Sequence, residues 1–277
     1  MLTNFFLLPP WLFTLILSVS NGLAVIVGLL ITRKFLPTVY FKQEDAQIAN
    51  IMIRQISTLL SVLMAFAVIS TWQDYEHQRK NTAEEAIAMG NLYRDSRGLQ
   101  PEIEHTVQGL LIDYTRYVVE DAWPKMLEKK VSQNTWTSFN KLYGYVIRLE
   151  PANGQEQIVF NHLLDHLNDL AKFRRMRLIR NASPHIPDIL WVCIFVCTFM
   201  ITFSSYFLRS NSRKAHTTLL AISGVVYGLI FAILLLLNHP YSGSLQISCD
   251  PLRNLLNDVY PMADITQLIE SPSVIKE

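Results

Sequence analysis

Four windows of this sequence, 11–31, 50–72, 187–208 and 217–237, are apolar over the length of a bilayer. A helix needs about 20 mostly apolar residues to cross roughly 30 Å of hydrocarbon, so each window predicts a membrane span. The chain carries 17% charged and 50% hydrophobic residues, against ~25% charge in ordinary soluble domains. The shortage is local, because charges avoid the windows and crowd the stretch between the second and third. The first window is too long for the core of a cleaved signal peptide and has no basic segment before it, so it reads as a retained span.

The flanks agree with these limits. Pro9 and Pro10 open the first window, and Arg33 and Lys34 close it. Trp72 stands where an aromatic anchor should close the second, and Pro187 and Trp191 open the third. The fourth ends at Asn238-His239-Pro240.

Residues 73–185 have no sustained alternation of period two, and they read as helical throughout. Three apolar stripes run at steps of three and four. They are Ile103, Val107, Leu110, Leu111, Tyr114 and Val118; then Trp136, Phe139, Tyr143, Val146 and Ile147; then Phe160, Leu163, Leu164, Leu167, Leu170 and Ala171. No Pro or Gly interrupts the sequence from Trp72 to Gly90, so the second span is expected to continue into this region as one helix. Residues 238–277 predict a short turn region and a frayed tail. The expected architecture is all-α: four transmembrane helices with a helical extramembrane domain inserted between spans two and three.

Several function classes lose support. Net charge is +1, so no global field draws nucleic acid. Three cysteines make no disulfide framework. There is no Gly-rich phosphate loop, no Gly-x-Ser-x-Gly and no Cys-x-x-Cys, and no nucleophile stands beside a base in sequence, so neither an enzyme nor a cofactor is predicted. Glu84 and Glu85, like Glu120 and Asp121, are neighbours that point different ways on a helix. His162, His166 and Asp169 share a helix edge at metal-type spacing without the general base of a zinc protease, and a solvated edge accounts for them.

Ionisable residues within the windows are few. Arg54 and Asp188 lie near span ends, where they snorkel. Ser57, Ser61 and Ala65 fall at steps of four on span two, and Gly224 and Gly228 form a small-residue pair on span four. Such faces let helices approach closely. The alternative for span two is that its face lines an axial pathway narrowed by Phe66 or Leu59. Asn21 in span one puts an amide at membrane depth, where it is expected to find a hydrogen-bond partner on another helix and to serve packing.

Two signals oppose each other on orientation. Arg33, Lys34, Lys42, Arg209, Arg213 and Lys214 lie in the short loops, which the positive-inside rule places in the cytoplasm, with the helical domain outside. The run Lys172, Arg174, Arg175, Arg177 and Arg180 also suits cytoplasmic headgroups.

Three stretches, AFAVISTWQDYEHQRKNTAEEAIAMGNLYRDS from Ala65, LIDYTRYVVEDAWPKM from Leu111 and LLLLNHPYSGSLQIS from Leu234, together resemble the bestrophin-like family of bacterial membrane proteins. The matching positions are Ala65-Phe66, Trp72, Glu85-Ala86, Tyr114, Glu120, Trp123, Pro124 and the turn His239-Pro240-Tyr241-Ser242-Gly243, with departures around Glu120. The resemblance implies the same four-span architecture in a bacterial cell membrane, and a homo-oligomer. By analogy with true bestrophins it implies an ion channel whose second span lines the pore and whose large domain is cytoplasmic, the reverse of the loop-charge expectation. The other reading is a non-conducting scaffold or sensor whose helical domain binds a partner or ligand. The bilayer is a partner under both.

Overall fold

A computed structural model describes residues 8–36, 43–183, 185–208 and 212–261. Among the described residues there are helices and no strands, and four helices are long and apolar enough to span a membrane. The chain forms two compact units, residues 1–75 with 184–245, and residues 76–183 with 246–277.

The membrane unit contains α1 (Pro10–Phe35), the first part of α2 (Gln43–Asp95), α7 (Asp188–Tyr206) and α8 (Arg213–Leu237). Pro10 occupies the first turn of α1, where its missing N–H is no loss, and Arg33 and Lys34 complement the dipole in the last turn. Ser212 caps α8 by accepting the Ala215 N–H. Lys42 and Arg209 lie outside the described residues, as does the tail beyond residue 261.

Helices α1 and α8 pack through small residues. A Cβ added at Gly228 would lie 2.6 Å from Ser18 Cα, and one at Gly224 would lie 3.0 Å from Gly22 Cα. Neither helix backbone has room for it, so both glycines serve close approach. The Asn21 Cβ borders Gly228, so the residue packs against α8, but its amide makes no side-chain hydrogen bond among the described residues, unlike the expectation from the sequence. Leu60, Met64 and Ala67 of α2 bury against Ile194 and Ile201 of α7 and Phe231 and Leu234 of α8.

The helical unit contains the rest of α2, α3 (Pro101–Tyr117), α4 (Trp123–Leu127), α5 (Gln133–Val146), α6 (Gly154–Ala182) and α9 (Asp250–Asn254). Helix α2 runs 53 residues without a break, more than twice what a crossing needs. Ser132 caps α5 and Asn153 caps α6, while the Glu156 carboxylate accepts the Ala152 N–H.

Two features go beyond the sequence reading. A π-turn, Val118–Ala122, joins α3 to α4, with the Trp123 N–H reaching back five residues to the Val118 carbonyl. Pro124 lacks the N–H that would bond the Glu120 carbonyl, and the widened turn absorbs that loss. The segment from Gln246 also carries more structure than a turn: Ile247, Leu252, Leu255 and Tyr260 are buried in this unit. The Tyr260 ring stacks on Tyr93 at 4.6 Å, and its hydroxyl lies 3.1 Å from Thr115 Oγ1.

The second stripe is also shifted. Phe139, Leu142 and Val146 are buried in α5, whereas Trp136 and Ile147 are exposed.

Candidate functional site

Three of the motif positions meet inside the helical unit. Glu85 of α2 and Arg177 of α6 are fully buried. Arg177 donates from Nε and from Nη2 to the two Glu85 oxygens, at 2.7 and 2.8 Å, in the bidentate geometry that suits guanidinium and carboxylate. Trp123 of α4 lies under the Arg177 guanidinium at 5.2 Å, and the indole N–H donates to the Ile247 carbonyl. A residue after the last span thus fixes the indole that supports the ion pair.

Tyr114 of α3 is the third motif residue in the cluster. Its hydroxyl is buried and makes no hydrogen bond among the described residues. Burial pushes the phenol well above its ordinary value; the Glu85 carboxylate adds to this, while Arg177 and Arg174 oppose it. Arg174, one turn before Arg177, is 7% exposed and lies between Trp136 and Phe139, 4.7 and 4.5 Å from their ring centres. Burial lowers its pKa from the ordinary guanidinium value.

The membrane-headgroup reading of the basic run is therefore corrected for two of its members. Arg174 and Arg177 point into the unit, while Lys172 and Arg175 are exposed. The cluster holds helices together. Both Glu85 oxygens are committed to Arg177, which leaves no free carboxylate for acid–base work. Glu120 is exposed and takes no part, and Pro124 shapes the turn beside the cluster.

The edge that carries His162, His166 and Asp169 does not act as a unit. His166 Nδ1 lies 2.7 Å from Asp95 Oδ2 and its Nε2 3.4 Å from Asn91, while His162 and Asp169 are exposed. No cluster of three metal-type ligands occurs among the described residues.

In the membrane unit, Ser57 borders a small, partly open cavity, and Ser61 and Ala65 border a groove between α2 and α8. Phe66 and Leu59 face the other way, 68% and 71% exposed. At about 100° per residue, Met52, Leu59, Val62 and Phe66 form one outward stripe opposite the buried Leu60, Met64 and Ala67.

The exit of the last span also has a definite task. Asn238 Oδ1 accepts the N–H groups of His185 and Ile186, at 2.9 and 3.0 Å, and so sets the turn before α7. Ser242 N–H then bonds the His239 carbonyl, Pro240 is buried, and Gly243 takes φ 112°, which favours glycine.

No spacing or motif signals that this turn brings His185 to α2. Ser70 Oγ lies 2.7 Å from His185 Nε2, and Asp74 Oδ1 lies 3.7 Å from Nδ1. The order is that of a hydrolase triad. Ser70, however, is in mid-helix, where backbone N–H groups are spent on the helix ladder, and the His185 and Ile186 N–H groups belong to Asn238. The contact ties α2 to the α7 turn.

The bestrophin-like domain profile matches residues 21–252. The chain belongs to the bestrophin-like family. A crystal structure of a bacterial bestrophin homologue from Klebsiella pneumoniae is similar at TM-score 0.62 and 13% identity, covering 90% of this chain and 98% of that one. A single-substitution variant of that homologue gives 0.61 and 13%, covering 92% and 98%. A crystal structure of a membrane protein gives 0.61 and 12%, covering 88% and 95%. At such identities the likeness shows the bestrophin-like fold. No curated protein matches the sequence.

Proposed function

We propose that this bestrophin-like membrane protein assembles as a homo-oligomer that conducts ions, with α2 lining the pathway and the helical unit forming a vestibule. The carrying observation is the outward stripe of α2. Leu59, Val62 and Phe66 are exposed in the single chain, and exposed Gln55 and Gln73 bracket them on the same side. Amide side chains at both ends of a narrow apolar stretch suit water-filled mouths around a hydrophobic constriction. A purely lipid-facing stripe would leave Gln55 poorly placed.

The purified full chain in a planar bilayer is expected to conduct, and Phe66→Ala to raise unitary conductance by widening the constriction. A monomeric, electrically silent protein overturns the reading. The lysines and arginines of the short loops support a bacterial cell-membrane placement with the helical unit outside. A Gln155→Cys chain without other cysteines should then react with an impermeant thiol reagent in intact cells. Reaction only after lysis reverses the orientation.

A further inference from the structure

Two adjoining cavities among the spans differ in chemistry. An open groove of about 640 Å3 runs between α2 and α8, walled by Leu60, Met64, Val68, Ile222, Val226 and Ile230. Its volume falls in the range of roughly 300–1,000 Å3 that holds drug-sized ligands. Ser223 and Tyr227 line this groove and also line a more enclosed cavity of about 200 Å3. The smaller cavity is bordered by the hydroxyl residues Ser57, Thr202, Ser205, Ser223 and Tyr227, and by no Asp, Glu, Lys, Arg or His.

Two of these five hydroxyls are committed: Ser205 donates to the Ile201 carbonyl and Ser223 to the Leu219 carbonyl. The side-chain hydroxyls of Ser57, Thr202 and Tyr227 have no hydrogen-bond partner among the described residues. At membrane depth an unmatched polar group costs several kcal/mol, so the cavity calls for an occupant that bonds to hydroxyls. A charged head is disfavoured, since no opposite charge lines the wall to offset its burial. Water suits the small cavity but not the apolar groove that shares Ser223 and Tyr227 with it.

We propose that α2 and α8 hold an uncharged amphiphile drawn from the bilayer, its apolar chain in the groove and its hydroxyl or carbonyl head among Ser57, Thr202 and Tyr227. Such a ligand bridges α2 to α7 and α8 within one chain. The site stands independently of the conduction reading.

The test uses the full chain in nanodiscs and monooleoylglycerol carrying a diazirine on its acyl chain. Photolabelling is expected on α2 and α8 peptides. Unlabelled monooleoylglycerol should compete at least about tenfold better than oleoyl lysophosphatidate, the size of effect expected when a hydrogen-bonded head is exchanged for an unpaired charge. Thr202→Val, which keeps side-chain volume, combined with Ser57→Ala should weaken that competition by about tenfold. Val226→Trp, which fills the groove, should abolish labelling.

Equal competition by the phosphate-headed lipid, or unchanged competition in the double variant, overturns the head-group assignment. Absence of label, or label on these peptides that Val226→Trp does not reduce, overturns the site and leaves the groove to a second copy of the chain. Should Val226→Trp fail to fold, the competition in wild type and in the isosteric double variant still decides.

Discussion

In the membrane unit large apolar side chains such as Leu59, Phe66 and Phe199 point outward, whereas in the helical unit Leu111, Leu142, Leu163 and Leu167 point inward. The cohesion differs accordingly. Hydrocarbon offers little hydrophobic drive between spans, so α1 and α8 are joined by backbone proximity at Gly22, Gly224 and Gly228. The helical unit has a water-excluding core, and within it a fully buried ion pair. One α-helix, α2, contributes to both units and must present an apolar outer face in one and a buried Glu85 in the other. Solvent therefore decides what an identical apolar stripe means.

The sharpest way to break this contrast is Glu85→Gln. It leaves Arg177 buried without its counter-charge, and a loss of about 3–5 kcal/mol is expected, read as a large fall in the unfolding midpoint of the purified chain. Glu85→Met with Arg177→Met should recover most of it, because an apolar pair of similar volume carries no desolvation penalty. A double variant as unstable as the single one would show that the charges are needed together.

In the membrane unit the corresponding test is Gly228→Val. With Ser18 Cα and the Leu17 carbonyl against the new side chain, α1 and α8 must separate, at a cost of about 1–3 kcal/mol. Loss of the folded species in detergent at lower temperature measures it. An unaltered midpoint would refute close backbone packing.

Asn238→Ala removes the acceptor of two N–H groups and should cost about 1–3 kcal/mol. It should also raise hydrogen exchange at His185 and Ile186. Tyr114→Phe removes a buried hydroxyl without a partner, and neutral or slightly raised stability is expected. A clear loss would reveal a bond to Glu85 or Arg174.

The smallest effect is at Asp121. Lys125 and Ser132 hold its carboxyl below the usual carboxylate range. Its contribution is full above the ordinary carboxylate pKa and is lost as pH falls through the lowered one. Asp121→Asn should cost about 0.5 kcal/mol near neutrality, given its exposure, and should flatten the acid side of the stability profile.

The spans and the continuity of α2 were legible because hydropathy over about 20 residues and the absence of Pro and Gly act locally. The third stripe was also legible, and it held more than was read from it. Leu163, Leu167 and Leu170 continue at the same steps through Arg174 and Arg177, so arginines occupy core positions. Their spacing could have shown that they point inward, but charge composition suggested headgroups instead. The partners could not be read. Glu85 lies 92 residues from Arg177, and Ser70 lies 115 residues from His185.

Sequence alone determined that this chain crosses hydrocarbon four times and is helical between the middle crossings, because bilayer thickness and helical periodicity are recorded within short windows. Tertiary structure decided which charges are buried and matched, that Ile247 fixes Trp123, and that five hydroxyl residues border a cavity between spans. Those outcomes depend on which distant faces meet, and side-chain spacing along one helix carries no information about the helix that will cover it.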